Sequence, residues 1–303
     1  MKPQRIGAMF KLMTLLAVFI FQAGSAFAAA PQPSDGWKLI PSEGDYGKLF
    51  APKTVQVVYK SDQGVATRLS AWIRTSFNTT SAKETIENYE LSLAPEELAY
   101  GTALVELSPQ LRTIEYVQEH FYDNNGKEIW SKVYEPRTVK EINSRSFDED
   151  FFVAIVDSYF HHGEAAVQHD EKRWRKLWEK KGADGSVSSA IADTLSMRQS
   201  GDNLVFWEWY EMKDAAGNLL EVRFSKKAMN VAQGTQKLIQ CEYWNAKDGW
   251  KNLRDELDDR YYAIETGSVE ENSLKSLRAY KNGYQYWLHR YAVDGSDKLP
   301  TKK

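Results

Sequence analysis

The stretch Ile264-Glu-Thr-Gly-Ser268-Val-Glu-Glu271 has a twin 122 positions earlier, Ile142-Asn-Ser-Arg-Ser146-Phe-Asp-Glu149. Each stretch is typical of a strand end, a short turn and the start of a helix. The Ser-x-x-Glu spacing is that of the capping box, in which the serine oxygen accepts a first-turn amide and the glutamate reaches back to the serine amide. Apolar residues follow each serine at matching offsets, as a buried helix face requires: Phe152 and Ile155, then Leu274 and Leu277.

Features on either side of these stretches also occur twice and in the same order. A tryptophan opens each half, at Trp37 and Trp174, and a Leu-x-x-Trp strand pattern begins at Leu69 and again at Leu204. We therefore predict an α+β fold of two related units, each a mainly antiparallel β-sheet closed by a capped C-terminal helix. The alternative is two unrelated α+β pieces that share cap chemistry by chance.

The predicted boundaries follow from this repeat and from the polar segments around it. In chain order they are a signal peptide (1–28), a lead-in (29–36), the first α+β unit (37–160), a linker (161–172), the second α+β unit (173–293) and a tail (294–303). The linker is placed at a polar segment because domain boundaries fall in exposed, polar stretches.

The N-terminus has the three parts of a secretory leader. Lys2, Arg5 and Lys11 provide positive charge, residues 12–21 form a short apolar core, and Ala26-Phe-Ala28 fits a small-x-small cleavage site. The apolar core is too short for a stable membrane span, and no cysteine follows it as a lipoprotein anchor would require. We predict an exported protein of the periplasm or the cell surface, without a transmembrane segment after the leader is removed.

Composition narrows the function classes. The chain carries 39 Lys and Arg residues against 42 Asp and Glu residues, and this balance argues against a general nucleic-acid binder. A single cysteine, Cys241, excludes an intramolecular disulfide, so the core must hold the fold together. Aromatic residues make up 13% of the chain, which favours β-rich structure over a helical bundle.

Both units also resemble the surface-adhesin protein E-like domain of exported bacterial proteins. The shared features are an early tryptophan, a β-rich middle and a closing Ile-x-x-x-Ser before a short helix, here at Ile142 and Ile264. The resemblance implies a small antiparallel sheet with a helix packed on it, and an extracytoplasmic binding role. The family's usual form has Pro-Gly before that serine and also contains a cysteine pair. In this chain Ser144-Arg145 and Thr266-Gly267 precede the two serines, and the single cysteine cannot form a pair. This departure bears on the adhesive role more than on the fold.

Three histidines, His161, His162 and His169, form the densest histidine group of the chain. Together with Glu164 and Asp170 they offer side chains of the types that bind divalent metals. Because no helical or hairpin spacing forces them together, we interpret the segment as a solvated linker and predict neither a metal nor a cofactor.

The segment 171–181 combines six basic residues with two tryptophans. As a helix it would present an apolar stripe and a basic face, which would suit an anionic surface such as lipid head groups or an acidic polymer. The candidate contact residues are Arg173, Trp174, Lys176 and Trp178. The alternative, which we favour, is an interdomain element that docks its tryptophans and solvates its lysines.

The aromatic run Phe206-Trp-Glu-Trp-Tyr210 is the last candidate for a binding surface. In a strand, Trp207 and Trp209 face one way, while Phe206 and Tyr210 face the other. Both faces are bulky, so Trp207, Trp209 and Tyr210 form a candidate ligand-binding platform of the kind that holds sugars or peptides. A strand buried on both sides is the competing interpretation.

Signals for catalysis are weak. The chain has no Gly-x-Ser-x-Gly elbow, the pair Asp148 and Glu149 is assigned to the helix cap, and no apolar pocket is predicted around Asp258 and Asp259. We predict a non-catalytic binding or interaction protein whose partner is an unknown protein or glycan. Two alternatives stay open: an envelope structural or assembly factor, and a hydrolase acting on envelope material.

Overall fold

The computed structural model describes residues 36–42, 44–253 and 257–291, with the exception of the Glu164 side chain. The predicted signal peptide, the lead-in apart from Gly36, and the predicted tail lie outside the described residues. The described chain forms two antiparallel β-sheets of eight strands each, together with a few helices. The α+β class and the presence of two similar units are thereby confirmed.

The first sheet is formed by the N-terminal half of the chain. Its strands are β1 (Lys38–Ile40), β2 (Tyr46–Phe50), β3 (Gln56–Lys60), β4 (Ala66–Phe77), β5 (Tyr100–Ser108), β6 (Thr113–Tyr122), β7 (Glu128–Val133) and β8 (Lys140–Glu141). The order is β1-β2-β4-β5-β6-β7, with β3 paired to β4 and β8 paired to β6. Asp123 closes the β6–β7 hairpin by accepting the amides of Asn125 and Lys127, both at 2.8 Å.

The second sheet repeats this connectivity. Its strands are β9 (Trp174–Lys181), β10 (Val187–Asp193), β11 (Arg198–Ser200), β12 (Asn203–Lys213), β13 (Leu219–Asn230), β14 (Thr235–Asn245), β15 (Gly249–Asn252) and β16 (Tyr262–Ala263). The order is β9-β10-β12-β13-β14-β15, with β11 paired to β12 and β16 paired to β14. Each strand therefore takes the place of the strand eight earlier.

The match between the sheets extends to single hydrogen bonds. The amide of Ile142 donates to the carbonyl of Arg112 over 2.9 Å, and the amide of Ile264 donates to Gly234 over the same distance. Arg112 and Gly234 both have positive φ, 55° and 68°, at the turn that starts β6 or β14. The two Ile-x-x-x-Ser stretches thus occupy equivalent positions.

Helices cover one face of each sheet. They are α1 (Thr79–Asn88), α2 (Glu149–Phe152), which continues as a π-helical turn (Val153–Asp157), α3 (Gly163–Glu171), α4 (Val269–Gly283) and α5 (Gln285–Leu288). The sequence patterns do not reveal α1, because its capping box joins Asn78 to Ser81 instead of serine to glutamate. None of the helices in the described ranges is long and apolar enough to cross a membrane.

Helix α4 begins close to the predicted way. Ser268 is its N-cap, and the serine hydroxyl accepts the amide of Glu271 at 3.2 Å. The Glu271 carboxylate accepts the amide of Gly267 at 2.9 Å, one residue before the serine amide that a capping box would use. The serine half of the prediction is correct, and the glutamate half is displaced by one residue.

The predicted cap of the first unit is wrong. Helix α2 follows Asp148 without a side-chain cap hydrogen bond, and the Ser146 hydroxyl has no hydrogen-bond partner among the described residues. Glu149 still accepts the amide of Arg145 at 2.7 Å. Its carboxylate otherwise forms buried ion pairs with Arg112 and Arg173, so it does not accept the amide of Ser146 as a capping box requires.

Each sheet has an apolar core beneath its closing helix. The predicted core residues Phe152, Ile155, Leu274 and Leu277 are all buried. Phe152 and Ile155 belong to the first core, which includes Leu69, Val105 and Ile114. Leu274 and Leu277 belong to the second, which includes Leu204, Phe206 and Met229.

Arg173 forms ion pairs with carboxylates from both halves of the protein. Its guanidinium donates to the Glu149 carboxylate at 2.6 Å, and it holds Asp193 with two bonds, from Nε at 3.0 Å and Nη2 at 2.8 Å. Glu149 also pairs with Arg112. Glu149 and Asp193 are only 2% and 0% exposed. Because an unpaired buried charge costs several kcal/mol, this arrangement fixes the end of β10 against α2.

The last described residues connect the second half of the chain back to the first core. The Tyr291 ring belongs to that core, and its hydroxyl donates to Asp157. Arg290 is 2% exposed and donates to the carbonyls of Leu195 and Met197 at 2.7 and 3.1 Å. The halves therefore share packing as well as ion pairs.

Candidate functional site

A cavity of about 370 Å³ lies on the face of the first sheet that α1 and the turn before α2 cover. We call it the first cavity. Strands β4, β5 and β6 form its floor, and its size falls within the range of about 300–1,000 Å³ found for small-ligand sites. Its lining combines aromatic and charged side chains: Tyr46, Phe77, Glu84, Tyr89, Tyr116, Glu119, Phe121, Lys140, Phe147 and Asp148.

Gly101 on β5 makes room for one wall of the first cavity. A Cβ at this position would lie 2.8 Å from the ring of Phe121. Phe121 is 2% exposed and is held between Tyr89, at 4.9 Å between ring centroids, and Trp130, at 4.8 Å. Because the ring has no free space to retreat into, only glycine permits this close approach of β5 to the aromatic wall.

Glu119 is the more deeply enclosed of the two central carboxylates. It is 8% exposed, and its Oε2 atom accepts hydrogen bonds from the hydroxyls of Tyr89 at 2.9 Å and Tyr134 at 2.7 Å. Burial raises the pKa of Glu119, although the two tyrosine hydrogen bonds and the charge of Lys140 oppose this rise. The side chain is thus a polar anchor that costs stability when it is charged.

A β-bulge brings Tyr116 and Glu119 to the same face of β6. Tyr116 pairs with Val105 and Gln118 with Leu104, so Val117 is the extra residue between them. In a regular strand, residues three apart point to opposite faces. The bulge adds one residue and reverses this alternation, so both side chains reach the first cavity. Strand β14 has the same bulge at Ile239.

Asp148 provides the second central carboxylate. Its Oδ1 atom accepts the hydroxyl of Tyr116 at 2.7 Å. Burial raises the pKa of Asp148, while the Tyr116 hydrogen bond and the charges of Lys140 and Lys48 oppose the rise. Lys140 itself lies over the Tyr116 ring, 4.8 Å from its centroid.

The wall opposite these carboxylates carries a third acid. The Tyr46 hydroxyl donates to Glu84 at 2.6 Å, and burial raises the pKa of Tyr46 to about 12. The cavity therefore offers several tyrosine hydroxyls, carboxylates at Glu84, Glu119 and Asp148, and one lysine amine. Such a set can accept hydrogen bonds from a ligand or exchange protons with it.

The corresponding face of the second sheet holds a wider groove of about 1190 Å³, which we call the second groove. By strand register, Cys241 takes the place of Glu119, and Arg223 takes the place of Gly101. The Arg223 guanidinium lies 5.3 Å from the Tyr210 ring centroid. The equivalent of the acidic cavity is therefore larger, and its lining sets four cationic side chains against three carboxylates.

The predicted platform of Trp207, Trp209 and Tyr210 does not form one surface. The alternation is as predicted, and Tyr210 lines the second groove on the face opposite the two tryptophans. Trp207 is 3% exposed and stacks on Phe224 with 4.5 Å between centroids. Trp209 is half-buried and lies 6.4 Å from Trp250, which is exposed.

The predicted anionic-surface residues lie on a strand, not on an amphipathic helix. Trp174, Lys176 and Trp178 belong to β9, and Trp178 packs against the second core. Arg173 is committed to Glu149 and Asp193. Lys176 is exposed and pairs with Glu179 at 2.8 Å. The continuous basic face expected of a helix is therefore not formed.

The histidine segment is packed where a solvated linker was predicted. His162 and His169 are 3% and 9% exposed, and the His169 ring stacks on Trp287 at 3.9 Å. Burial lowers the pKa of His169 to about 4, so this ring is neutral at physiological pH. Among the described residues, no group of three or more His, Cys, Asp or Glu side chains is placed to hold a metal ion.

The residues that matter most in the first cavity are absent from the sequence-based candidates. Asp148 was assigned to a cap, and the bulge at Val117 hides Glu119 from any argument based on alternation. Comparison of the chain with known protein families and with curated proteins finds no match. The evidence for a site in the first cavity is therefore its size, its lining residues and their hydrogen bonds.

Proposed function

We propose that this chain is an exported, non-catalytic binding protein whose ligand site is the first cavity. One observation carries the proposal: two carboxylates, the buried Glu119 and the half-buried Asp148, share an aromatic-lined cavity and have tyrosine hydroxyls as their direct partners. Buried acids with raised pKa values lower the stability of a fold, and such groups cluster at functional sites.

The size of the cavity bears on the nature of the partner. About 370 Å³ accommodates a small molecule or the end of a chain. The partner predicted from the sequence, a protein or a glycan, would then engage this site through a terminal group.

We further propose that the two units arose by duplication and that only the first kept the enclosed site. Support comes from the common strand connectivity and from matching bulges at Val117 and Ile239. In this proposal each unit ends in a helix entered through a Ser-x-x-Glu turn, and the resemblance to the surface-adhesin protein E-like domain reflects the same unit.

Export is part of the proposal and rests on the leader pattern of residues 1–28. Protease treatment of intact cells, followed by detection of the chain before and after lysis, tests it. Cleavage on intact cells would place the protein outside, and protection until the envelope is opened would place it in the periplasm. A chain that keeps residues 1–28 and stays in the cytoplasm would contradict export.

The binding proposal is tested by a thermal-shift screen of small molecules against the wild type and Glu119→Gln. We expect at least one ligand to raise the melting temperature of the wild type and not that of the variant. A ligand that stabilises both equally binds elsewhere. Absence of any hit would favour the alternative of an envelope structural or assembly factor.

A hydrolase acting on envelope material is the second candidate function. The observation that favours it is the raised pKa of both Glu119 and Asp148 in one cavity, since glycosidases use a pair of carboxyl groups in this way. A panel of glycoside, ester and peptide substrates decides between the two. Turnover that is lost in Glu119→Gln would replace the binding proposal with this one.

A further inference from the structure

We infer that the ligand of the first cavity is a small organic cation that carries at least one primary amino group. This inference deepens the proposed function and rests on it. It starts from the formal charge of the lining, where three carboxylates, Glu84, Glu119 and Asp148, face one amine, Lys140.

Within the described residues, the hydrogen bonds to the two central carboxylates use one oxygen of each. Both tyrosine bonds to Glu119 use Oε2, and the bond from Tyr116 to Asp148 uses Oδ1. We assign Oε1 of Glu119 and Oδ2 of Asp148 to the ligand. An ammonium group has three donors and no acceptor, so it can bridge such oxygens, and charge-assisted bonds of this kind are short and strong.

The aromatic walls suit the same chemistry. Tyr46 and Phe147 are 5.1 Å apart between ring centroids, and Phe77 lies 6.1 Å from Phe121. Ring faces attract cations, most strongly where water is excluded. Lys48 already uses this property at the cavity edge, since its amine lies 4.4 Å from the Phe147 centroid.

Other ligand classes fit less well. An anion would have to approach Glu119 and Asp148, and Lys140 is the one lysine in the lining that could meet it. A neutral sugar could donate to the carboxylates, but it would add no positive charge to that of the nearby lysines. A cation removes that cost, because a nearby positive charge favours the ionised carboxylate.

The second groove supplies an internal control within the same chain. Glu270 lies at the position of Asp148, 122 residues later, but Lys227 stands where Val105 stands in the first sheet. Lys227 pairs with Glu208 at 2.5 Å. A cation whose binding depends on unpaired carboxylate oxygens in a small cavity should therefore bind to the first cavity and not to the second groove.

The test is isothermal titration calorimetry of the purified full chain at neutral pH. The probes are putrescine, spermidine, tetramethylammonium, N-acetylglucosamine and succinate. We expect saturable binding of a primary amine with a stoichiometry of one. Glu119→Gln and Asp148→Asn should each weaken it by about tenfold or more, since each removes a charge-assisted bond. Glu270→Gln should change the affinity less than about twofold.

A second readout keeps the result interpretable if a variant is unstable. Repeating the wild-type titration at mildly acidic pH, in two buffers of different ionisation enthalpy, should show protons released on amine binding. The reason is that a bound cation lowers the pKa of the carboxyl groups it contacts. Binding without proton release would overturn the assignment to Glu119 and Asp148.

The outcomes separate the inference from the proposed function. If N-acetylglucosamine or succinate binds with the same dependence on Glu119 and the amines do not, the first cavity is a binding site but its ligand is not a cation. If tetramethylammonium binds as tightly as the amines, the ligand is a cation but needs no primary amino group. If amines bind and only Glu270→Gln weakens them, or if no probe binds at all, the inference is overturned.

Discussion

The first cavity and the second groove are built on equivalent strands in the same order, yet they differ in size and charge. The first is small and sets three carboxylates against one lysine, whereas the second is larger and sets three carboxylates against four cationic side chains. The difference comes from a few exchanges at equivalent positions, such as Gly101 to Arg223 and Glu119 to Cys241. Glycine lets the Phe121 wall close over β5. At the equivalent position of the second sheet, Arg223 adds a cationic side chain that lies 5.3 Å from the Tyr210 ring centroid.

This contrast separates the backbone of the two units from their side chains. Backbone features are shared by both units, including the bulges at Val117 and Ile239. Side chains that line the first cavity and the second groove can differ because strand pairing does not require them. The two units therefore share a scaffold and differ in chemistry.

The largest expected effect on stability concerns the buried ion pairs of Arg173, which connect the two units. Arg173→Ala removes the arginine paired with Asp193 and one of the two arginines paired with Glu149. It should lower the free energy of unfolding by about 3–5 kcal/mol because both carboxylates stay buried with less compensating charge. Urea unfolding measures this. The control is Lys176→Ala, an exposed basic residue three positions on, which should change stability by less than about 1 kcal/mol. Equal effects would mean that Arg173 is a surface residue, as the anionic-contact hypothesis required.

The parts of the architecture that can be predicted from the sequence are those set by residues close together in the chain. The strand–turn–helix order around Ser146 and Ser268 is short-range chemistry, so it predicts two α+β units correctly. The role of Glu149 is not short-range. Its partners Arg112 and Arg173 lie 37 and 24 residues away in sequence, and no pattern within one helix reveals them.

Bulges account for much of what the sequence does not reveal about the site. At Val117 a bulge reverses the alternation and hides Glu119. In β9 another irregularity leaves Leu177 without a partner in β10. The four-residue spacing of Trp174 and Trp178 also fits one face of a helix, which is why the segment 171–181 suggests one. The bulge instead pairs these tryptophans with Asp193 and Ala190, three residues apart, and so turns them to opposite faces of the sheet. Strand periodicity fails at such points because one residue is added without any change in composition.

A smaller effect tests the glycine that shapes the first cavity. Gly101→Ala places a methyl group 2.8 Å from the buried Phe121 ring, and overpacking of this kind costs about 1–3 kcal/mol. The matched variant is Arg223→Ala at the equivalent position of the second sheet, where the side chain is 53% exposed. It should change stability by less than about 1 kcal/mol. Thermal unfolding of both variants checks the difference. Similar losses would show that the two positions are packed alike and would remove the proposed reason for the contrast.

The smallest effect is a change in the pH dependence of stability at Asp148, the half-buried carboxylate of the first cavity. Burial raises the pKa of Asp148 above its ordinary value of 3.8, so its contribution to stability is present below that value and is lost as the pH rises through the folded-state pKa. Asp148→Asn cannot lose a proton. The stability of this variant relative to the wild type should therefore grow as the pH rises from about 4, by about 1.4 kcal/mol for each unit of pKa difference.

Urea unfolding of the wild type and the variant across this pH range measures the difference. The sign separates two explanations of the acidic cavity. If Asp148 were there to stabilise the fold, its removal would become more damaging as the pH rises. A gain in stability at neutral pH, together with loss of ligand binding, would instead mean that the first cavity keeps a half-buried acid that lowers the stability of the fold, as a binding site does.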